Sequence, residues 1–242
     1  MNKPFKIVVQ HTDFMIISKS SGVSFHGEHG EVGLFAHLRH ELGDTPLFPV
    51  HRLDKVTSGL LIIARSKKSA QIFSQMFRDR SVEKYYLAIS DRKPSKKQGL
   101  VCGDMETSRR GAWKLSPTKL SPAITQFFSH SLGSGKRLYL IKPHTGKTHQ
   151  IRVAMKSIGA PVLGDPIYYK ASLSAYDRTY LHAFSIRFIW AGEWVQINDV
   201  PTTGELFGDE TFKEVLESCY TMPWSLAWPT VKKTKLSTDD DL

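Results

Sequence analysis

The segment HRLDKVTSGL, from His51 to Leu60, packs Arg52 and Asp54 into a loop that feeds an apolar run. A carboxylate at the mouth of a strand, two residues from a cation, is well placed for a reactive site. The same residue types also make an ordinary surface turn, because Asp and Thr-Ser-Gly are common turn residues. A second segment, HTGKTHQIRVAMKSIGAPVLGDPIYY, runs from His144 to Tyr169. Its Thr145-Gly146-Lys147 turn feeds a helix that Thr148 is expected to open. A helix N-terminus suits a phosphate, and Lys147 and His149 add donors. Ile151, Met155 and Ile158 are the expected buried face, with Gly159 as the stop. Each residue turns a helix by about 100°, so Arg152 lies beside that face and within reach of a buried carboxylate. A solvated arginine on an amphipathic helix satisfies the same pattern. In VEKYYLA, Val82 to Ala88, strand alternation puts Lys84, Tyr86 and Ala88 on one face and Tyr85 and Leu87 on the other. A tyrosine on a site-facing strand can stack on a base; an ordinary half-buried strand tyrosine is the alternative. A different chemistry, hydrolysis by paired carboxylates such as Asp54 and Asp165, needs two carboxyl groups suitably spaced across a bond. Asp165 sits in a Gly-Asp-Pro turn and reads as structural.

These residues need elements to hold them. Lys6–Gln10 and Phe14–Ser18 read as strands, with His11, Thr12 and Asp13 as the turn between them. Leu34, Leu38 and Leu42 repeat at helical spacing, and Gly43 is the stop signal. Leu60–Arg65 reads as a buried strand, Ala70, Phe73, Met76 and Phe77 as a helix stripe, and Lys84–Ile89 as another strand. The stretch from Asp91 to Pro122 is rich in Lys, Arg, Ser, Pro and Gly and reads as an exposed excursion with little core of its own. Regular structure resumes with strands at Ala123–Phe128 and Arg137–Lys142. Tyr180–Trp190 and Trp194–Ile197 are expected to close the sheet, and Phe212, Val215 and Leu216 to mark a last helix. Strands and helices do not alternate regularly, which predicts an α+β fold with a mostly antiparallel mixed sheet flanked by helices and loops. One domain is expected over residues 1–230, followed by a polar, frayed tail over 231–242.

Composition narrows the partners. The 242 residues carry 33 Lys+Arg against 23 Asp+Glu, a net charge of +10. Such a balance suits a nucleic acid, or else a basic protein with no polyanionic partner. No sustained amphipathic basic helix points to a membrane surface. Cys102 and Cys219 form neither a metal-ligand pair nor a disulfide framework, and read as free thiols in a reducing compartment. The N-terminus lacks the apolar core of a signal peptide, and no apolar run reaches spanning length. The expected location is the cytoplasm. The histidines are scattered, and His37 and His40 read as surface residues of a helix.

Taken together, HRLD..TSGL, K.Y.A, TG.THQIRV, IG.P..GD..Y and Tyr180-Leu181-His182-Ala183 resemble, in this order, the RluA-type pseudouridine synthases. The resemblance runs from about Ile7 to Trp190, and motifs this long are specific. It implies the pseudouridine synthase fold with a central active-site cleft. It also implies an isomerase that converts a uridine in structured RNA, a stem-loop of transfer RNA or 23S ribosomal RNA, into its C-glycoside. By similarity Asp54 is the catalytic aspartate. It attacks the uracil ring, attacks the anomeric carbon, or removes a ribose proton; the sequence leaves all three open. Arg152 would keep it ionised against burial, which alone would favour the neutral acid. Tyr86 matches the family tyrosine that stacks on the base and assists proton removal at carbon five, and Tyr85 would be structural. Arg52 matches the arginine that fills the stack when the nucleotide is flipped out, a step costing about a few kcal/mol. His51 would touch the RNA backbone. Lys147, Thr148, His149 and Ile151 would hold phosphate or the target nucleotide. Lys147 stands where the family more often has arginine, and Ser18-Lys19-Ser20-Ser21-Gly22 departs from the family's Asn-Lys-Pro stretch. No cofactor is implied, because the base leaves and rejoins the same ribose. With no N-terminal RNA-binding domain expected, recognition would fall to the catalytic domain, including the basic Arg92–Lys119 excursion. A monomer is expected. A member that binds RNA but has lost catalysis would lack some of Asp54, Tyr86 and Arg152, all of which are present.

Overall fold

The computed structural model describes residues 3–27, 30, 32–43, 46–94, 96–170 and 175–231. Most of the expected tail lies outside these residues. The strands are β1 (Phe5–Gln10), β2 (Phe14–Lys19), β3 (Phe48–Pro49), β4 (Ser58–Ala64), β5 (Glu83–Ser90), β6 (Gln98–Thr107), β7 (Trp113–Ser116), β8 (Ala123–Gly133), β9 (Lys136–Pro143), β10 (Leu181–Trp190) and β11 (Glu193–Asn198). The helices are α1 (Leu34–Leu42), α2 (Lys67–Arg78), α3 (Gln150–Ser157), α4 (Glu205–Gly208) and α5 (Glu210–Cys219).

The strands join in one mixed sheet in the order β1-β2-β4-β10-β5-β9-β8-β6-β7, with β11 on β10 and β3 on β4. Among the described residues every pairing is antiparallel except β10 with β4. The α+β class with a mostly antiparallel sheet is therefore the observed one. β4 explains how such a sheet is covered. All seven of its residues are buried. Leu61 and Ile63 face the larger core, whereas Leu60, Ile62 and Ala64 face a second core under α2, with Phe14, Phe73 and Phe188. A strand buried on both faces reads as a continuous apolar run. Ser66 starts α2 with a capping box, exchanging hydrogen bonds with Ser69.

The start of β4 is built around one glycine. Gly59 has φ +105°, and a Cβ there would lie 2.3 Å from the carbonyl oxygen of Ala183. Only glycine permits this approach of β4 to β10. Beside it, Ser58 Oγ accepts a hydrogen bond from Arg178 Nη2 at 2.5 Å and donates to His182 Nδ1 at 2.7 Å. His182 Nε2 donates to the carbonyl of Asp199 at 2.7 Å. This chain fastens the end of the His51–Thr57 loop to the middle of the sheet.

Three expectations change. β10 lies at the centre of the sheet, not at its closing edge. The Asp91–Pro122 stretch contains β6 and β7; it is mostly exposed, as expected, but regular. Helix α3 begins at Gln150 rather than Thr148, because His149 at its N-cap takes a left-handed conformation, φ 55°. Of the expected buried face, Ile151 and Met155 are buried and Ile158 only half-buried.

Candidate active site

A cleft of about 590 Å³ opens between the His51–Thr57 loop, the start of β5, the end of β9 and the start of α3. All nine residues expected to serve the site line it: His51, Arg52, Asp54, Tyr86, Lys147, Thr148, His149, Ile151 and Arg152. Residues nearly 100 positions apart in sequence meet here because β4, β10, β5 and β9 are neighbours in the sheet.

Arg152 is the centre of the polar arrangement. It is 3% exposed, so the solvated-arginine reading is excluded. Its Nη1 donates to Asp54 Oδ2 at 3.2 Å. Its stronger contacts are to Asp165, with Nε to Oδ2 at 2.7 Å and Nη2 to Oδ1 at 2.8 Å. Asp165 is fully buried and also accepts from the amides of Ile167 and Tyr168. One guanidinium thus bridges two carboxylates in a planar fork that lysine could not reproduce. Burial pulls the Arg152 pKa down, but the hydrogen bonds and charges of Asp165, and then of Asp54, more than offset it and hold it above its ordinary value. Asp54 retains 24% exposure in the cleft. Asp165 does not line the cleft, so the two carboxylates do not flank a common space as hydrolysis would need.

Tyr86 lines the cleft and is 8% exposed. Burial, and then the charge of Asp54, push its phenol pKa well up, so the hydroxyl keeps its proton. Tyr85 faces elsewhere. It is fully buried, donates to Glu83 Oε2 at 2.8 Å, and packs near Trp228. The alternation read from the sequence separates these neighbours correctly.

His51 lines the cleft as a neutral wall. Its Nε2 accepts from the amide of Ile62 at 2.9 Å, and burial lowers its pKa to about 3. Such a ring offers no positive charge to a phosphate, which weakens the expectation that His51 grips the RNA backbone. His149 is also held neutral, by burial first and then by Arg152. The Tyr168 hydroxyl receives the Trp113 amide at 2.8 Å, so its own proton goes to His149 Nδ1, 3.0 Å away. That leaves His149 Nε2 as the donor. The Tyr168 ring lies 5.1 Å from the Arg152 guanidinium carbon and supports it from one side. Arg52, Lys147 and Thr148 are exposed, and Lys147 Nζ rests on Ser121 Oγ at 2.9 Å.

Sequence reasoning missed several supports. Gln150 shapes the Thr145–Lys147 turn: its Oε1 accepts from Thr145 Oγ1 at 2.7 Å and from the Lys147 amide at 3.0 Å. Its only signal was its place inside the THQIRV motif. Buried Lys19 donates to the carbonyls of Ser20, Val23 and Lys55, the last next to Asp54. Burial lowers its pKa to about 7, opposed by Asp54. Four further basic residues line the cleft: Arg78, Arg80 and Lys142 lie outside the motifs and went unread, and Lys84, the lysine of K.Y.A, was read only by its strand face. With Arg52, Lys147 and Arg152 they make seven cations against the two carboxylates of Asp54 and Glu83. Such a lining favours a polyanion.

The model of the RNA pseudouridylate synthase family matches residues 1–157. The chain belongs to that family. An RNA pseudouridine synthase of Haemophilus influenzae, itself described as uncharacterized, is 47% identical over 219 residues, 90% of this chain and 97% of that protein. The ribosomal large subunit pseudouridine synthase D of Zymomonas mobilis is 30% identical over 207 residues, 77% of this chain and 65% of that one. Among solved structures, human RNA pseudouridylate synthase domain containing 1 superposes with a TM-score of 0.68 at 25% identity, covering 81% of this chain and 82% of that one. The RluA-type resemblance carried by the motifs thus holds, and the protein is an RNA pseudouridine synthase, an isomerase. Among the described residues, no helix is long and apolar enough to cross a membrane.

Proposed function

We propose that Asp54 is the essential catalytic carboxylate, and that the enzyme isomerises a uridine in a stem-loop of transfer RNA or large-subunit ribosomal RNA. The observation that carries this reading is the Arg152 bridge, which gives a cleft carboxylate a fixed cation 3.2 Å away. In the reaction the bond from N1 of uracil to the ribose breaks, and a bond from C5 to the same carbon forms. The C5 proton is lost and N1 gains one. Each of the three roles open to Asp54 needs its carboxylate held towards the cleft, and the Arg152 guanidinium 3.2 Å away orients it. Tyr86 stacks on the base in this reading. Its raised pKa weighs against a phenolate taking the C5 proton. Arg52, exposed on the cleft, fills the gap left by the flipped nucleotide. The cations of the cleft hold the backbone on either side, so residues 1–230 suffice for recognition as a monomer. The ribosomal assignment draws on the printed name of the Zymomonas relative; the compact basic cleft fits a loop of either RNA by shape and splayed bases.

The test is tritium release from RNA labelled at carbon five of uridine. Wild-type protein releases tritium from unmodified transfer RNA or ribosomal RNA transcripts, and the better substrate names the RNA class. Asp54→Asn keeps the side-chain shape and should abolish release with RNA affinity nearly unchanged. Normal turnover by Asp54→Asn would refute the assignment.

A further inference from the structure

β6 changes partners along its length. Gln98–Gly103 pair with β8, whereas Asp104–Thr107 pair with β7 and leave the main sheet as a two-stranded ribbon. Gly103 is the switch. A Cβ there would lie 2.3 Å from the Ser116 carbonyl oxygen, so the ribbon closes only over glycine. Asp104 fixes the returning chain by accepting from the amides of Leu120 and Ser121, at 2.9 Å each. The ribbon is also tied to the active site, through the Trp113 amide, the Tyr168 hydroxyl and His149.

Between this ribbon and the Gly146–Thr148 turn lies a second cavity of about 400 Å³. Met105, Trp113, Leu120 and Ser121 line it together with Asp104 and the turn. Gly146, Lys147 and Thr148 also line the active-site cleft, so the two spaces share one wall. The outer wall carries uncovered apolar surface: Leu120 is 88% exposed and Trp113 is half-buried. Its surroundings carry more cations than acids: Lys147 stands on the shared wall, Arg109 and Arg110 at the ribbon's tip and Lys119 on the returning chain, against Asp104 in the lining, while Lys114 is paired with Glu106 at 3.1 Å. A stacking surface among cations, one turn away from a cleft that takes uridine, matches how single-stranded RNA is held.

We propose that this second cavity receives the base of a nucleotide next to the target uridine, unstacked onto Trp113 and Leu120, with the intervening phosphate on Lys147. The occupant is fixed by continuity and charge. A chain that places one nucleotide in the cleft passes the shared wall, and the cations select a polyanion over an apolar peptide. The inference rests on the cleft being the seat of uridine turnover.

The probe is a stem-loop transcript carrying the uridine that wild-type enzyme converts, with each nucleotide flanking that uridine made abasic in turn. Stacking of one base on an aromatic side chain corresponds to about a tenfold change in binding. One abasic position should therefore raise KM about tenfold for the wild type. Trp113→Ala should raise it similarly, and the two losses should not add. Trp113→Phe should recover most of the loss. Leu120→Ser, at a residue too exposed to support the fold, should move KM the same way by less. Additive losses, or a fall in kcat with KM unchanged, would overturn the subsite. Repeating the abasic comparison as RNA affinity in an Asp54→Asn background reads the subsite without turnover. Failure of the catalytic assignment and failure of the subsite therefore give different results.

Discussion

Replacing Arg152 by methionine keeps most of its volume and removes its charge. Asp165 then loses donors at 2.7 and 2.8 Å and, among the described residues, keeps the amides of Ile167 and Tyr168. Because Asp165 is fully buried, water cannot replace the guanidinium. Breaking a buried pair in this way costs about 3–5 kcal/mol. In a chain of this size about 1 kcal/mol moves Tm by roughly 2–4 °C, so a fall of roughly 6–20 °C is expected. Asp54 contributes less to that loss, since at 24% exposure it can rehydrate. Adding Asp165→Asn to Arg152→Met removes the stranded charge. The double variant should recover at least half of the lost stability while remaining inactive, because Asp54 still lacks its cation. Urea unfolding of the wild type, both single variants and the double variant gives the coupling, and tritium release gives activity. The reasoning fails if Arg152→Met costs no more than an exposed ion pair, about 1 kcal/mol or less. It fails equally if the double variant is as unstable as Arg152→Met.

Tyr85→Phe should leave activity nearly unchanged and cost about 1 kcal/mol of stability through the lost bond to Glu83, measured by urea unfolding. Tyr86→Phe should keep stacking and test the hydroxyl alone; equal kinetic effects at both positions would mean that the wrong face has been assigned to the cleft. Gly59→Ala should cost about 3 kcal/mol or more, since it combines φ +105° with a 2.3 Å clash against Ala183, and its soluble yield and Tm report this. Asp199 offers a pH test. Burial raises its pKa, but hydrogen bonds from His182, Lys6 and Ser18 outweigh this and bring it from 3.8 to about 2. A carboxylate held below its unfolded value stabilises the fold above that value and loses this contribution as pH falls through its folded pKa. Between about pH 4 and pH 2 the wild type should therefore lose roughly 2 kcal/mol that Asp199→Asn never had, seen as a shallower acid limb in the variant.

The parts of the fold legible in the sequence are those where one face or both faces bury apolar side chains. β4 shows as LLIIA because both its faces are covered, and α2 shows because Phe73 recurs with Met76 and Phe77 against the sheet. β6 and β7 did not show. Of β6, only Val101 and Gly103 are buried, so no apolar alternation survives among the charged and small residues. The central place of β10 was hidden for a different reason. Strand order is a matter of long-range pairing, and β10 reaches back more than 100 residues to lie beside β4.

The site divides along the same line. Asp54 and Arg152 were singled out because they sit in the long HRLD and THQIRV motifs, and Tyr86 because it sits in the shorter K.Y.A, but Asp165 was read as part of a turn. Both descriptions of Asp165 are correct. Its carboxylate caps the turn through the amides of Ile167 and Tyr168, and the geometry of that turn aims it at Arg152. The Tyr168 that follows supports Arg152 with its ring and His149 with its hydroxyl. The Gly-Asp-Pro turn, the start of α3 and the His51–Thr57 loop therefore share one hydrogen-bonded frame. An arginine held at two nitrogens of one edge by Asp165 has little freedom left, so the position of its remaining nitrogen is set before substrate arrives. In the proposed reaction, preorganisation of that kind would let a single contact of 3.2 Å to Asp54 matter, because the cation need not be recruited when charge develops in the cleft. Asp165 is then a positioning residue whose Asn variant should lower kcat more than it raises KM, whereas a residue that only stabilised the fold would lower the amount of active protein and leave both constants unchanged.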